Sequence, residues 1–183
     1  MTIQKFRNMD LIFLTVVAII SDLLLGLFGL IGIRLFLSIA YPLIVICYIR
    51  WNIYGLFANI IIICLHILLY GFINNAGWII AILHSLAIFG FSSVLVIIYL
   101  SKQTEQRATT KTYLLIYLTG FMTVFFVEWV LFNVFNYKLN LMSHGFNHII
   151  NFLFGLLIIF ITSRQKDILI DMNYYFKHKD KEV

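Results

Sequence analysis

Continuous apolar runs are the feature that most constrains what this chain can fold into. Six of them follow one another, over residues 9–30, 35–49, 51–72, 77–100, 112–135 and 145–163. They lack the strict alternation of a membrane β-barrel strand, which leaves α-helices as the way to satisfy backbone N–H and C=O groups in lipid. About 20 residues cross a hydrocarbon core. The expectation is therefore an all-α, polytopic membrane protein: a six-transmembrane-helix bundle in one integral membrane domain, residues 1–183, ending in a cytoplasmic tail over 164–183. Composition agrees, since 62% of the residues are hydrophobic and only 11% charged, against about a quarter charged in soluble domains. Two cysteines exclude a disulfide scaffold, the hydrophobicity excludes a disordered chain, and the lack of a basic domain excludes a nucleic-acid binder.

Within this frame several local signals stand out. The N-terminus carries Lys5 and Arg7, but the run behind it contains Asp22 and no clear small-x-small cleavage site, so it reads as an uncleaved first helix. Pro42, the only proline, predicts a kink or a partly re-entrant path in the short second run. Arg50, Trp51 and Asn52 interrupt what would otherwise be one long helix. The sequence SKQTEQRATTK, residues 101–111, is the clearest loop. Tyr174, Tyr175 and Phe176 in the tail are expected at the lipid headgroups. Cys47 and Cys64 lie inside apolar runs and read as small hydrophobes.

Basic residues set the orientation. With the N-terminus cytoplasmic, eleven of the 13 Lys and Arg fall on the inside, and only Arg34 and Lys138 fall outside. Six spans then place both termini inside, and the expected location is the cell membrane, multi-pass, of a bacterial type.

Ionisable residues within spans are costly, so they mark where function is to be sought. Glu128 lies deep in the fifth run, and at 3.6 residues per turn Tyr117, Phe121, Phe125, Phe132 and Phe135 fall on its face. A carboxylate in an aromatic stripe suits a cationic or NH-rich ring stacked between Phe125 and Phe132; the plainer reading is an aromatic core stripe around a hydrogen-bonded Glu. The sixth run opens with HGFNHIIN, putting His144, His148 and Asn151 on one stripe with Asn147 beside it and Gly155 continuing it. Two histidines at i, i+4 have a metal-sharing spacing, but ligand hydrogen bonding and interhelical packing are the other readings, and no metal site is assigned. Asn52, Asn59 and His66 recur at sevens in the third run with Tyr70 one turn beyond. Helix–helix hydrogen bonding explains the two Asn. His66 and His84 are candidate ligand contacts, and Trp78 is an interfacial anchor or a pocket lid. At about 1.5 Å per residue, His84, Glu128 and Asn151 fall on the order of 10–14 Å below their outer helix ends, with His148 and His66 at similar depth. Five polar groups from four helices thus share one level. Asp22 and Arg34 flank Gly26, Gly29 and Gly32, either as an ion pair or as ligand contacts under the glycine-bearing turn.

The chain carries no Walker lysine loop, no G-x-S-x-G elbow, no Asp-rich phosphotransfer motif and no histidine-rich di-iron cluster. It is read as a non-enzyme with no cofactor.

Small size, six spans and the stretch GIRLFLSIAYPLIVICYIRWNIYGLFANIIIICLHILLYG resemble the substrate-binding S components of energy-coupling-factor (ECF) vitamin transporters, with Gly32, Arg34, Leu37, Pro42 and Gly55 fitting the pattern of the second and third helices. The resemblance implies uptake of a small vitamin or vitamin-precursor-like heterocycle, bound near the outer face in the lipid bilayer. It also implies partnership with a transmembrane coupling subunit and two ATPase subunits. The residues above give the candidate substrate contacts of such a binder as Glu128, His148, Asn151, His84, His66, Phe125, Phe132, Trp78 and Arg34. Two departures from the family are Ala18-x-x-x-Asp22 in place of Ala-x-x-x-Ala on the first helix and the lack of the N-terminal Met-His of nickel and cobalt members. The alternatives are a structural scaffold resembling the rod-shape-determining membrane protein D family and an intramembrane enzyme built on Glu128 and the histidines.

Overall fold

The computed structural model describes residues 2–30, 37–72, 77–103, 109–137, 141–165, 168–172 and 175–176. Seven α-helices follow in order: α1 Ile3–Leu30, α2 Ala40–Trp51, α3 Gly55–Phe72, α4 Trp78–Ala87, α5 Val94–Gln103, α6 Thr110–Val134 and α7 Leu141–Arg164, with no strand among the described residues. Five stretches are long and apolar enough to cross a membrane: Ile3–Leu27, Ala40–Phe72, Trp78–Leu100, Thr110–Val134 and Gly145–Arg164. Their outward faces carry large apolar side chains such as Phe13, Phe57, Phe126 and Leu153, all more than half exposed, which is what a surface solvated by lipid tails requires.

The 33-residue stretch Ala40–Phe72 is not a straight rod. Asn52 adopts φ 53°, a left-handed conformation that Asn tolerates better than most residues, and the chain turns back there. Tyr48 Oη accepts from Asn59 Nδ2 at 2.9 Å across the turn. A Cβ on Gly55 would lie 2.8 Å from the Tyr48 backbone nitrogen, so only glycine lets α2 and α3 approach this closely. The two therefore pack as an antiparallel pair, reversing at the Arg50-Trp51-Asn52 interruption. The 12 residues of α2 give it a length of about 18 Å. Ten of those 12 are buried, and α2 touches α1, α3, α5, α6 and α7, making it the centre of the bundle.

Pro42 produces no kink. It sits in the first turn of α2, where its missing N–H would have had no intrahelical acceptor. The fourth run also differs from a single helix over 77–100. Between α4 and α5 the residues Ile88–Ser93 wind as a 3-10 segment, and there a Cβ on Gly90 would meet the Val124 backbone at 2.8 Å. Glycine and two serines hold an α-helix weakly, and the tight approach to α6 decides the local winding. The 101–111 loop is shorter than expected, because α5 continues to Gln103 and α6 starts at Thr110. Thr109 caps α6, its hydroxyl accepting from the Thr112 N–H at 3.4 Å while its own N–H donates to Thr112 Oγ1 at 3.3 Å.

The tail folds back on the bundle. Arg50 Nη1 donates to the Ile168 carbonyl at 2.8 Å and Tyr113 Oη to the Leu169 carbonyl at 2.5 Å. Phe176 packs on Phe6 near the start of α1, ring centroids 5.7 Å apart. Tyr175 is 41% exposed, and Tyr174 lies outside the described residues.

Candidate functional site

Glu128 is 1% exposed. On α6 it shares its buried face with Tyr117, Phe121, Val124 and Phe132, the five positions falling at the i, i+4, i+7, i+11 and i+15 spacing of one helix side. Its two carboxylate oxygens are taken by histidines from two other helices: His84 Nδ1 of α4 meets Oε1, and His148 Nε2 of α7 lies 2.5 Å from Oε2. A carboxylate removed from water is costly unless polar groups compensate it, and here an imidazole stands against each oxygen. One ligand atom from each of His84, Glu128 and His148 lies within 4.8 Å of the others, so these three are the described side chains placed to hold a metal ion.

A second carboxylate, Asp22 of α1, is equally enclosed at 1% exposure. His66 Nε2 of α3 lies 2.7 Å from its Oδ2, and Ser38 Oγ donates to the same oxygen at 2.7 Å. Its Oδ1 accepts the Ile39 and Ala40 N–H groups at 2.8 and 3.2 Å. Asn151 Oδ1 of α7 accepts the Ser38 N–H at 2.7 Å. The N–H groups that open α2 are therefore capped from α1 and α7, filling the role that a local Ncap side chain usually plays. Asp22 does this structural work together with pairing His66; Arg34, its expected partner, lies outside the described residues.

The two carboxylate centres are linked on both sides. Tyr70 bridges them through its ring, 6.0 Å from His66 and 4.5 Å from His84 between centroids. On the other side, Asn151 follows His148 by one turn of α7 and leads through Ser38 to Asp22. Tyr41, at the start of α2 and 1% exposed, has its ring 6.2 Å from His66 and 6.1 Å from Phe121. Asp22, His66, Tyr70, His84, Glu128, His148, Asn151 and Ser38 thus form a polar circuit drawn from α1, α3, α4, α6, α7 and the entry to α2, in which His148 and Asn151 are neighbours one turn apart on α7.

The expected site residues divide accordingly. His66, His84, Glu128, His148 and Asn151 come together. Phe132 is buried on the face of Glu128. Phe125 is 44% exposed and meets His148 only edge-on, centroids 5.4 Å apart, because the 3.6-residue repeat carries position 125 to the rim of the buried stripe. Trp78 is 47% exposed and lies across Gly71 and Phe72, on the outer surface of α3. Arg34 and the His144 side chain lie outside the described residues. Gly155 carries Tyr117 across it: a Cβ there would fall 1.8 Å from the phenol oxygen, and that hydroxyl donates to the Asn151 carbonyl at 3.3 Å. A crevice too narrow to admit a water molecule runs between α1 and α3, walled by Ala18, Ile62, Leu65 and Leu69 with Asp22 and His66. Ser38 and Tyr41 escaped the sequence reading, although Pro42 in a first helical turn signals a helix start just before it.

Compared with known proteins, the chain matches no family model, and no curated protein or solved structure matches it.

Proposed function

We propose that the chain is a multi-pass subunit of the cell membrane that binds a small, nitrogen-containing heterocycle for uptake, in the manner of the ECF S components it resembles, with a separate coupling subunit and two ATPase subunits supplying energy. In this reading α1, α2, α3, the α4–α5 pair, α6 and α7 make six passes with both termini cytoplasmic, as the Lys and Arg distribution favours. The circuit then lies on the extracellular side. The observation that carries the proposal is the circuit itself, which spends two buried carboxylates and three buried histidines in one level of a membrane bundle. Intramembrane ionisable groups at such cost mark function. Histidines held against carboxylates can act as donor or acceptor, so a ligand's ring N–H or ring nitrogen can replace one partner without stranding the other.

The test is purification in detergent followed by mass spectrometry of any co-purified small molecule, with binding then measured on Glu128→Gln. The expected result is an aromatic nitrogen heterocycle whose affinity falls tenfold to over a hundredfold, which corresponds to about 1–3 kcal/mol for an unpaired buried donor. Full affinity in both Glu128→Gln and Glu128→Ala removes the carboxylate from the site. A scaffold resembling the rod-shape-determining membrane protein D family is the second reading. It draws on the engagement of both Glu128 oxygens by protein histidines, and predicts that no small molecule co-purifies.

A further inference from the structure

We propose that His84, Glu128 and His148 form a binding site for a divalent transition-metal ion of the zinc class. The proposal uses the same cluster as the uptake reading but needs no uptake, so the two stand or fall separately.

Three features of the cluster carry it. First, the donors converge from three different helices, α4, α6 and α7, with one ligand atom of each within 4.8 Å of the others. Ligand atoms around a tetrahedral zinc ion, about 2.0–2.2 Å from the metal, lie about 3.3–3.5 Å apart. Seating an ion therefore asks for side-chain adjustments on the order of 1 Å, with no change of helix packing. Second, both imidazoles already turn a ring nitrogen toward the carboxylate, Nδ1 from His84 and Nε2 from His148. Two imidazoles and one carboxylate, with a fourth position left for water or another ligand, are the donor set of several zinc sites that bind or transform small molecules.

Third, the donor chemistry selects the ion. Neither cysteine joins the cluster: Cys47 packs with Trp51 and Ala58 toward the other end of the bundle, and Cys64 is exposed on α3. Without thiolates the site is a poor match for Cu(I), and a single carboxylate falls well short of the oxygen shells that Mg²⁺ and Ca²⁺ take. Imidazole with carboxylate suits Zn²⁺, Co²⁺ and Ni²⁺. Asp22 is the internal contrast. It is also met by a histidine, but by only one, and its oxygens are committed to Ser38 Oγ and to the Ile39 and Ala40 N–H groups that open α2. A metal there would uncap α2, whereas at Glu128 the two imidazoles that meet the carboxylate are themselves ligand groups.

The experiment uses the full chain, freed of any polyhistidine tag, stripped with chelator in detergent and titrated with Co²⁺ as a visible probe. The expected result is one equivalent bound with the intense d–d bands of a tetrahedral ion, bleached when Zn²⁺ is added. Glu128→Gln and His148→Gln should each weaken Co²⁺ binding by at least about a hundredfold, beyond the tenfold to hundredfold typical of losing a supporting group outside the ligand set, while His66→Gln leaves it unchanged. A wild-type chain that yields only the weak spectrum of octahedral Co²⁺ overturns the site, whatever the variants do. So does tetrahedral binding that survives Glu128→Gln. If the wild-type chain gives no tetrahedral signal yet carries a co-purified organic ligand, the metal site is overturned and the uptake reading remains. If it binds Co²⁺ as expected but retains no organic ligand, the metal site stands and the uptake reading loses its support.

Discussion

The molecule buries carboxylates at two levels and partners them in opposite ways. Near the start of α1, Asp10 accepts from Arg50 Nε at 2.7 Å and from Trp51 Nε1 at 2.6 Å, and Arg50 reaches on to the Ile168 carbonyl. The side chains of this pair keep 12% and 16% exposure. Twelve residues later on the same helix, about 18 Å along its axis, Asp22 sits at 1% exposure with a histidine instead, and Glu128 at the same level has two. Arginine is always charged and presents a rigid fork of donors, so the Asp10 end is a fixed latch that joins α1, α2 and the tail. Histidine can be donor, acceptor or metal ligand and changes its proton inventory with its surroundings. Permanent charge therefore serves anchorage at the partly solvated end, and adjustable groups occupy the dry level, where a fixed ion pair would be expensive and chemically inert.

The largest break in this comparison is expected from Asp22→Ala. It removes the partner of His66, the acceptor of the Ser38 hydroxyl and the cap of two α2 N–H groups at once. Deleting one side of a buried ionisable pair typically costs about 3–5 kcal/mol, and α2 is the helix that α1, α3, α5, α6 and α7 all touch. Thermal unfolding in detergent should show a large drop in midpoint, and Asp22→Asn, which keeps an acceptor oxygen, should recover part of it. A loss no greater than that of a surface substitution would mean that α2 holds its place without the cap.

Arg50→Ala is expected to come second. The pair is partly solvated, and hydrogen bonds to charged groups contribute about 1.5–3 kcal/mol when buried and less when water shares them. The global midpoint should move by the equivalent of about 1–2 kcal/mol. The sharper sign is local: with the Ile168 contact gone, limited proteolysis should cut in the 165–176 region faster than in the wild type, while the His84–Glu128–His148 centre keeps its ligand or Co²⁺ response. Loss of that response would show that the two ends are coupled rather than separate in role.

Much of this division was legible in the sequence, because an ionisable residue inside an apolar run announces itself. Glu128, His84, His148 and His66 could be named, and helical depth alone put them at one level. What the sequence did not expose was pairing. Asp22 and His66 lie 44 positions apart, as do His84 and Glu128, and nothing local distinguishes the carboxylate that caps a helix from the one that two histidines meet. The winding of Ile88–Ser93 was equally hidden, since it is set by how closely Gly90 approaches α6. The tail's contacts, Arg50 to Ile168 and Phe6 to Phe176, were hidden for the same reason, since each joins residues more than a hundred positions apart.

The smallest expected effect belongs to Phe125→Leu, and it tests where the buried circuit ends. Position 125 is one turn from Glu128, which makes Phe125 look like one wall of a stacking site on sequence spacing alone. Its ring is instead 44% exposed and touches His148 at an interplanar angle of 86°, an edge contact in which the imidazole takes its position from Glu128 and α7. Leucine keeps an apolar side chain toward lipid, so stability should change by no more than about 0.5 kcal/mol, the range of surface substitutions away from special features, and Co²⁺ or ligand affinity by less than about threefold. Phe132→Leu on the buried side of the same helix is the matched comparison: it trims a ring that is 2% exposed and should cost about 1–3 kcal/mol through poorer core filling. Should Phe125→Leu cost as much affinity as Glu128→Gln, the lipid-facing ring would have to close over the ligand on binding, and the boundary between the apolar outer face and the polar circuit would lie one helical stripe further out than the free structure places it.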